Sequence, residues 1–409
     1  METIGIIGGG ASGLVAAITA KSNKNKVIIF ERNQECGKKI LVTGNGRCNY
    51  TNENQNIEYY HSKDKDLIKE IINEKNIKKM QVFFQHLGIV PRIKNGYYYP
   101  FSNQASTIKD ALVREQKKKQ IQIKNNFLVE KIIQDQNKFI VCSKTEKVMV
   151  DKLIIATGSK AAPKTGSDGT GYSFLKELGH TIIKPLPALV QLKSNEGFQK
   201  DWAGIRTEAA ITLYENNQKI RVEQGELQLT DYGVSGICIF NLSYDIARGL
   251  DENKEERLEI NFLPFLEPKE ITSWLEDQYK VIRNKNIQEQ LEGVLNKKLV
   301  KIILKKSNIC PTKEWSNLTI EEKETLGITL GSFPLKIIGT NSFDKAQICS
   351  GGVSLKEINL KTMESKKIKN LYMIGELIDL SGDCGGYNLT IAWITGLLSG
   401  ESCKEIKND

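Results

Sequence analysis

The sequence predicts an α/β protein whose main sheet is built from both ends of the chain and interrupted by a separate inserted domain. Three observations predict it. A strand, a glycine run and a helix stand at the start, and a strand ending in Gly375-Glu376 lies near the end. Between them, residues 190 to 263 read as short strands with turns and 267 to 330 as helices. At 409 residues with 40% hydrophobic content, the chain can bury a sizeable core and is nearer two or three domains than one.

Thr3-Ile4-Gly5-Ile6-Ile7 is a short apolar strand that runs into Gly8-Gly9-Gly10-Ala11-Ser12-Gly13 and then a helical stretch, Leu14 to Lys21. This is GxGxxG in the setting its chemistry needs. Gly8 permits the tight turn, Gly10 lets backbone approach a pyrophosphate, and Gly13 lets the helix pack against the strand. The N–H groups at the helix start, around Ala11 and Ser12, face the phosphates. A second strand, Lys26 to Phe30, ends at Glu31, about 20 residues on, where a carboxylate accepts ribose hydroxyls and repels a 2′-phosphate. These elements define a Rossmann-like dinucleotide site, and by themselves they fit FAD or NAD.

Two later segments favour FAD. Asp151 to Ile155 is an apolar strand running into Ala156-Thr157-Gly158, which resembles the ATG segment of glutathione-reductase-like (GR-type) flavoproteins. Asn370 to Ile374 is a strand ending in Gly375-Glu376, followed by Gly385-Gly386-Tyr387-Asn388 and a helical run to about Leu398. In those flavoproteins the strand ends beside the ribityl chain, and the helix points its positive N-terminus at the flavin pyrimidine. No second GxGxxG follows, because Gly166 to Gly171 has the wrong spacing. NADH or NADPH, if it is the reductant, therefore visits the flavin transiently.

With these residues in view, the chain resembles the BaiN-type flavoproteins, a bacterial family of NAD(P)/FAD-dependent, aminoacetone-oxidase-like oxidoreductases. The resemblance runs from end to end. It rests on Cys36-Gly37-Lys38-Lys39-Ile40-Leu41-Val42-Thr43-Gly44-Asn45-Gly46-Arg47-Cys48-Asn49, on Gly225-Glu226-Leu227 with Tyr232-Gly233-Val234-Ser235-Gly236, on Gly351-Gly352-Val353, and on Gly382-Asp383-Cys384-Gly385-Gly386-Tyr387-Asn388. It implies a discontinuous GR-type Rossmann-like FAD-binding domain, residues 1–190 and 336–409. The insert, 191–335, is expected to have a β-rich, barrel-like part and a helical part with helices such as Glu270 to Ile282 and Asn286 to Ile303. Asn45 departs from the glycine common in the family, but Asn tolerates positive φ and the loop survives. Cofactor contacts are expected at the fingerprint residues, at Ala156, Thr157, Gly158, Gly375, Glu376, Gly386, Asn388 and Leu389, and also at Arg32, Lys39, Gly44, Gly46, Arg47, Cys48 and Val129. The alternative for Arg47 is a surface turn in which it pairs with a neighbouring carboxylate.

Other chemistry finds little support. Gly233 to Ile237 fails the GxSxG spacing. His61, His86 and His180 sit in no metal-ligand spacing, so no metal is expected. Eight cysteines without a CxxC read as free thiols. No catalytic residue is assigned; Cys48, Cys384 and Tyr387 are the candidates near the flavin. No signal peptide or membrane span is seen, so a cytoplasmic location is expected. The net charge of +9 comes from lysine, and nucleic acid is not expected as a partner. These motifs leave the oligomeric state open. The leading expectation is a reductase passing hydride from NAD(P)H through FAD to an enone-like small molecule. The alternatives are an FAD-dependent amine oxidase using oxygen and an RNA-binding or RNA-modifying flavoprotein.

Overall fold

Strands that are apolar on both faces belong in the middle of a covered parallel sheet, and Glu2–Ile7 lies in one. The computed structural model describes residues 1–282 and 285–404. Its first unit, residues 1–186 with 347 onward, holds a seven-stranded sheet. The order is Ile358–Asn359, Glu364–Ser365, Leu371–Met373, Lys152–Ile155, Glu2–Ile7, Asn25–Phe30 and Gln122–Lys124. The last five strands run parallel, with Ile7 opposite Phe30 and Ile155, and Ile155 opposite Met373. The strand near 370 thus lies next to the Lys152 strand, and the two ends of the chain build one sheet.

Two helices cover the site end of this sheet. Ala11–Ala20 packs along Tyr387–Lys404, and small residues set how closely. A Cβ at Gly396 would lie 2.7 Å from the Ser12 carbonyl oxygen, and one at Gly400 would lie 2.7 Å from that of Ala16. Glycine four residues apart therefore lets the closing helix touch the backbone of the first.

The second unit, residues 187–346, carries its own core around Trp202, Leu213, Leu229, Ile260 and Phe333. Its sheet runs Phe333–Ile337, Glu256–Asn261, Arg206–Glu215, Gln218–Thr230, Gly233–Ser235, Leu192–Lys193 and Gly339–Thr340. The first and last of these are separated only by Ile338, so the two edges lie within about 7 Å of one another. The sheet curls into a barrel-like closure. Because Gly339–Thr340 pairs with Leu192–Lys193, the chain returns to the first unit at 347 rather than at 336, and it leaves at 187 rather than 191. The helical part contains Ile271–Val281, Ile287–Leu291, Lys297–Lys306 and Ile320–Gly331. The single helix expected over Asn286 to Ile303 is in fact two. Asn296 caps a new start by accepting from the Lys298 N–H at 3.0 Å.

Glu256 in this unit makes a testable pH dependence. It is buried opposite Glu215, both its carboxyl oxygens lack hydrogen-bond partners among the described residues, and Gly249 packs directly on it. Burial first, then the charges of Glu215 and Asp245, push its carboxyl from 4.5 up to about 8. Between these values the unfolded chain has lost a proton that the folded chain keeps, so stability falls as pH rises through this window. Glu256→Gln keeps the shape without the charge. Its melting temperature is expected to exceed the parent's by more at pH 9 than at pH 5; parallel profiles would overturn the assignment.

Candidate cofactor site

The fingerprint glycines divide by what surrounds them. Gly8 has φ +101, and a Cβ there would lie 2.5 Å from the Ala156 carbonyl oxygen; one at Gly13 would lie 2.0 Å from that of Gly8. Both serve the protein's own packing. Gly10 differs: its φ of −77 and ψ of −164 suit any residue, and nothing in the protein lies within 4 Å of where its Cβ would be. The open space stands at the start of Ala11–Ala20, whose N-cap has no side-chain partner. The first N–H groups of a helix, here at Ala11, Ser12 and Gly13, have no intrahelical acceptor and favour an anion.

Glu31 ends the second strand with a buried carboxylate. It accepts from the Gly9 N–H and from the Asn33 N–H and Nδ2, each at 2.8 Å. Phe127 N–H donates to the Glu31 carbonyl at 2.9 Å, which brings the loop holding buried Val129 alongside. The Arg32 guanidinium pairs with Asp168 at 2.5 Å on the surface.

The later segments converge on the same end of the sheet. Ala156 N–H bonds to the Ile7 carbonyl at 2.9 Å, and Thr157 follows with its hydroxyl buried and without a partner among the described residues. Gly158 packs against Ser167. Gly375 lies against Ser12, with its N–H on the Thr395 hydroxyl at 3.0 Å. Lys39 and Glu376 form an ion pair at 2.7 Å, and the other oxygen of Glu376 is buried with no partner among the described residues.

The loop after Lys39 turns through Gly44, Asn45, Gly46 and Cys48 with φ of 54, 53, 79 and 57. Asn45 thus takes the left-handed conformation that its residue type tolerates. Arg47 is exposed, donates Nε–H to the Gly44 carbonyl at 3.2 Å, and lies 5.2 Å over the Tyr99 ring. Among the described residues it stacks on an aromatic rather than pairing with a carboxylate. Cys48 is fully buried and burial pushes its thiol up to about 12, which disfavours the thiolate form. Cys36, beneath Gly9, is raised to about 12 chiefly by burial. All eight cysteines are free thiols, and Cys384 is half-buried.

The loop before the closing helix is held from several sides. Asn388 spends its side chain on Gly382, accepting from its N–H at 2.9 Å and donating to its carbonyl at 2.7 Å. Its side chain clamps the loop, and the N–H groups of Tyr387, Asn388 and Leu389 stand at the helix start. Gly386 packs on the Thr51 carbonyl, and Leu389 lies half-buried against the core. Tyr387 is buried and stacked on Tyr59 with ring centroids 5.0 Å apart. Burial, then Tyr59, Tyr97 and Asp383, raise its phenol well above the usual range.

One pair escaped the sequence reading. His61 Nε2 lies 2.7 Å from Asp383 Oδ1, both groups buried, where Tyr60–His61 pairs with Ser381–Gly382. A separation of 322 residues gives no local signal. His180 bonds to the Ser365 hydroxyl at 2.8 Å, and His86 is exposed at the end of its helix. Among the described residues no cluster of three or more metal-ligating side chains occurs, and no helix is long and apolar enough to cross a membrane.

The residues present fit a flavin dinucleotide: open space at Gly10, two helix N-termini, and two buried oxygens without partners, at Thr157 and Glu376. Fold and site together define an FAD-dependent oxidoreductase. The chain belongs to the HI0933-like protein Rossmann domain family, whose model matches residues 2–402. It is 38% identical to the 3-dehydro-bile acid delta(4,6)-reductase of Clostridium scindens, across 99% of this chain and 100% of the relative. It is 27% identical to the ribosomal RNA dihydrouridine synthase of Escherichia coli, across 95% and 94%. Of solved structures, 3-ketosteroid delta1-dehydrogenase from Sterolibacterium denitrificans shares the fold with TM-score 0.51 at 9% identity, covering 99% of this chain and 100% of that one.

Proposed function

We propose that the protein reduces a carbon–carbon double bond conjugated to a carbonyl in a small organic molecule, with NADH or NADPH as the electron source. The observation that carries this reading is the cofactor cradle, joined to end-to-end similarity with a reductase of such a bond. Saturating this bond takes a hydride at the β-carbon and a proton at the α-carbon. Bound flavin, once reduced by NADH or NADPH, would supply the hydride.

The protein's part is to hold the dinucleotide and manage the proton. In this reading Glu31 receives ribose hydroxyls, Gly10 and the Ala11 helix take the pyrophosphate, and Thr157 and Glu376 meet polar groups of the ribityl and ring region. Lys39 holds the Glu376 carboxylate in place. Tyr387 is the candidate proton donor. Its phenol stays protonated at neutral pH and lies in a tyrosine cluster with Tyr59.

A second substrate class uses the same chemistry. The C5=C6 bond of uracil is conjugated to a carbonyl, and a relative matching 95% of this chain is a dihydrouridine synthase. The cationic face described below favours keeping this reading beside the first.

An anaerobic absorbance scan tests the main reading. The FAD-loaded protein should bleach rapidly with NADH or NADPH, and the oxidised spectrum should return on adding a 3-oxo steroid with a conjugated double bond. Flavin that stays oxidised with both nucleotides, or peroxide formed from an amine in air, would overturn it.

A further inference from the structure

We propose that the hairpin Pro91–Lys94 and Tyr97–Pro100, with Arg47, is a docking surface for single-stranded nucleic acid beside the cofactor site. The proposal rests on the second substrate class above.

The chain's charge is unevenly placed. Residues 75–109 contain no Asp or Glu but hold Lys75, Lys78, Lys79, Arg92, Lys94 and Lys109, and residues 36–52 contain no acid but hold Lys38, Lys39 and Arg47. The fold joins the two stretches, because Thr51 and Asn52 pair with Tyr98 and Tyr97. Within the hairpin, Arg92 stands opposite Tyr99 and Lys94 opposite Tyr97. Directly opposed residues of an antiparallel pair share a face, as do residues two apart on one strand. Arg92, Lys94, Tyr97 and Tyr99 therefore occupy one face, and Arg47 stacks on Tyr99 to extend it. The alternate residue, Tyr98, packs inward against Tyr50.

The cations of this face are not spent on ion pairs. Arg92 and Lys94 are exposed and, with Arg47, form no ion pair among the described residues, whereas Lys39, Lys79 and Lys109 are each paired with a carboxylate. At the base of the hairpin Phe101 is 67% exposed. Interleaved cations and aromatic rings match a strand that offers phosphates and unstacked bases, and an enone steroid offers neither. The face also leads to the chemistry: the Tyr97 ring lies against Gly385, in the loop that precedes the closing helix. A base turned out of a strand held here would have a short path to that loop.

The test uses FAD-loaded full-length protein and a fluorescent oligouridylate of about twelve nucleotides, a length within the usual site size, read by anisotropy over a salt series. The double variant Arg92→Ala/Lys94→Ala is expected to bind about tenfold more weakly at 0.1 M salt, with the slope of log K against log salt reduced by about 1.4 for two lost phosphate contacts. Phe101→Ala should weaken binding without changing the slope. Flavin content and reduction by NADH or NADPH should stay at the parental level in both. Parent binding that the variants leave unchanged would overturn the surface while the RNA reading survives. No binding by the parent would overturn both, leaving the small-molecule reading. A parental dimer that the double variant dissociates, with no strand bound, would assign the face to a second copy of this chain and overturn the proposal.

Discussion

Gly10→Leu is expected to give a protein that purifies folded but colourless. The backbone at this position suits any residue, and the protein places no atom within 4 Å of the new Cβ, so the fold has no reason to object. A leucine side chain there would fill the space over the start of Ala11–Ala20 that a pyrophosphate needs. Binding of FAD should weaken at least about 100-fold, or about 2.7 kcal/mol, while the melting temperature of the flavin-free forms stays unchanged. Gly13→Ala is the contrast. Its Cβ would press to 2.0 Å from the Gly8 carbonyl oxygen, so something must shift, at a cost of about 1–3 kcal/mol in the folded state itself. Titration of the apoproteins with FAD and thermal unfolding separate the two effects. A Gly10→Leu protein that keeps its yellow colour and its parental FAD affinity would remove Gly10 from the cofactor site.

The second large effect is expected at His61. His61→Ala takes away one member of a buried hydrogen-bonded contact whose other member, Asp383, is 2% exposed. Removing one partner of a buried hydrogen bond costs about 1–3 kcal/mol. The damage should reach the cofactor as well, because Asp383 N–H is bonded to the Tyr59 carbonyl and its loop continues into the N-terminus of the closing helix. Flavin retention through gel filtration should fall together with melting temperature. In the double variant His61→Ala/Asp383→Ala, the combined loss should be smaller than the sum of the two single losses, since their shared contact is then lost only once. Additive losses would show that the two side chains act independently and that the contact does not organise the loop.

Such a contact also marks where the sequence stops being readable. GxGxxG, the strand before it and the acid at the end of the next strand are neighbours in the chain. The local rules for turns, helix N-termini and strand ends therefore assign Gly8, Gly10, Gly13 and Glu31 without any knowledge of the rest. The two-ended sheet is legible for a similar reason, because the strands at 152–155 and 371–373 each carry their own glycine signature. Where side chains choose partners, the same rules fall silent. Arg32 faces Asp168, Asn388 turns back to Gly382, and Arg47 lies on Tyr99. None of these choices follows from residue type, since a guanidinium or an amide accepts many partners and geometry selects among them.

The sequence by itself determined the fold class, the dinucleotide fingerprint, the inserted domain and the end-to-end family resemblance, because each is written in contiguous stretches whose spacing has a direct physical reading. Tertiary structure alone decided which groups meet. Lys39 reaches Glu376 and His61 reaches Asp383 across more than 300 residues, and two acid-free stretches join into one cationic, aromatic face. The physical reason is that pairing depends on packing of distant backbone, so a buried charge reveals its partner only once the chain has closed around it.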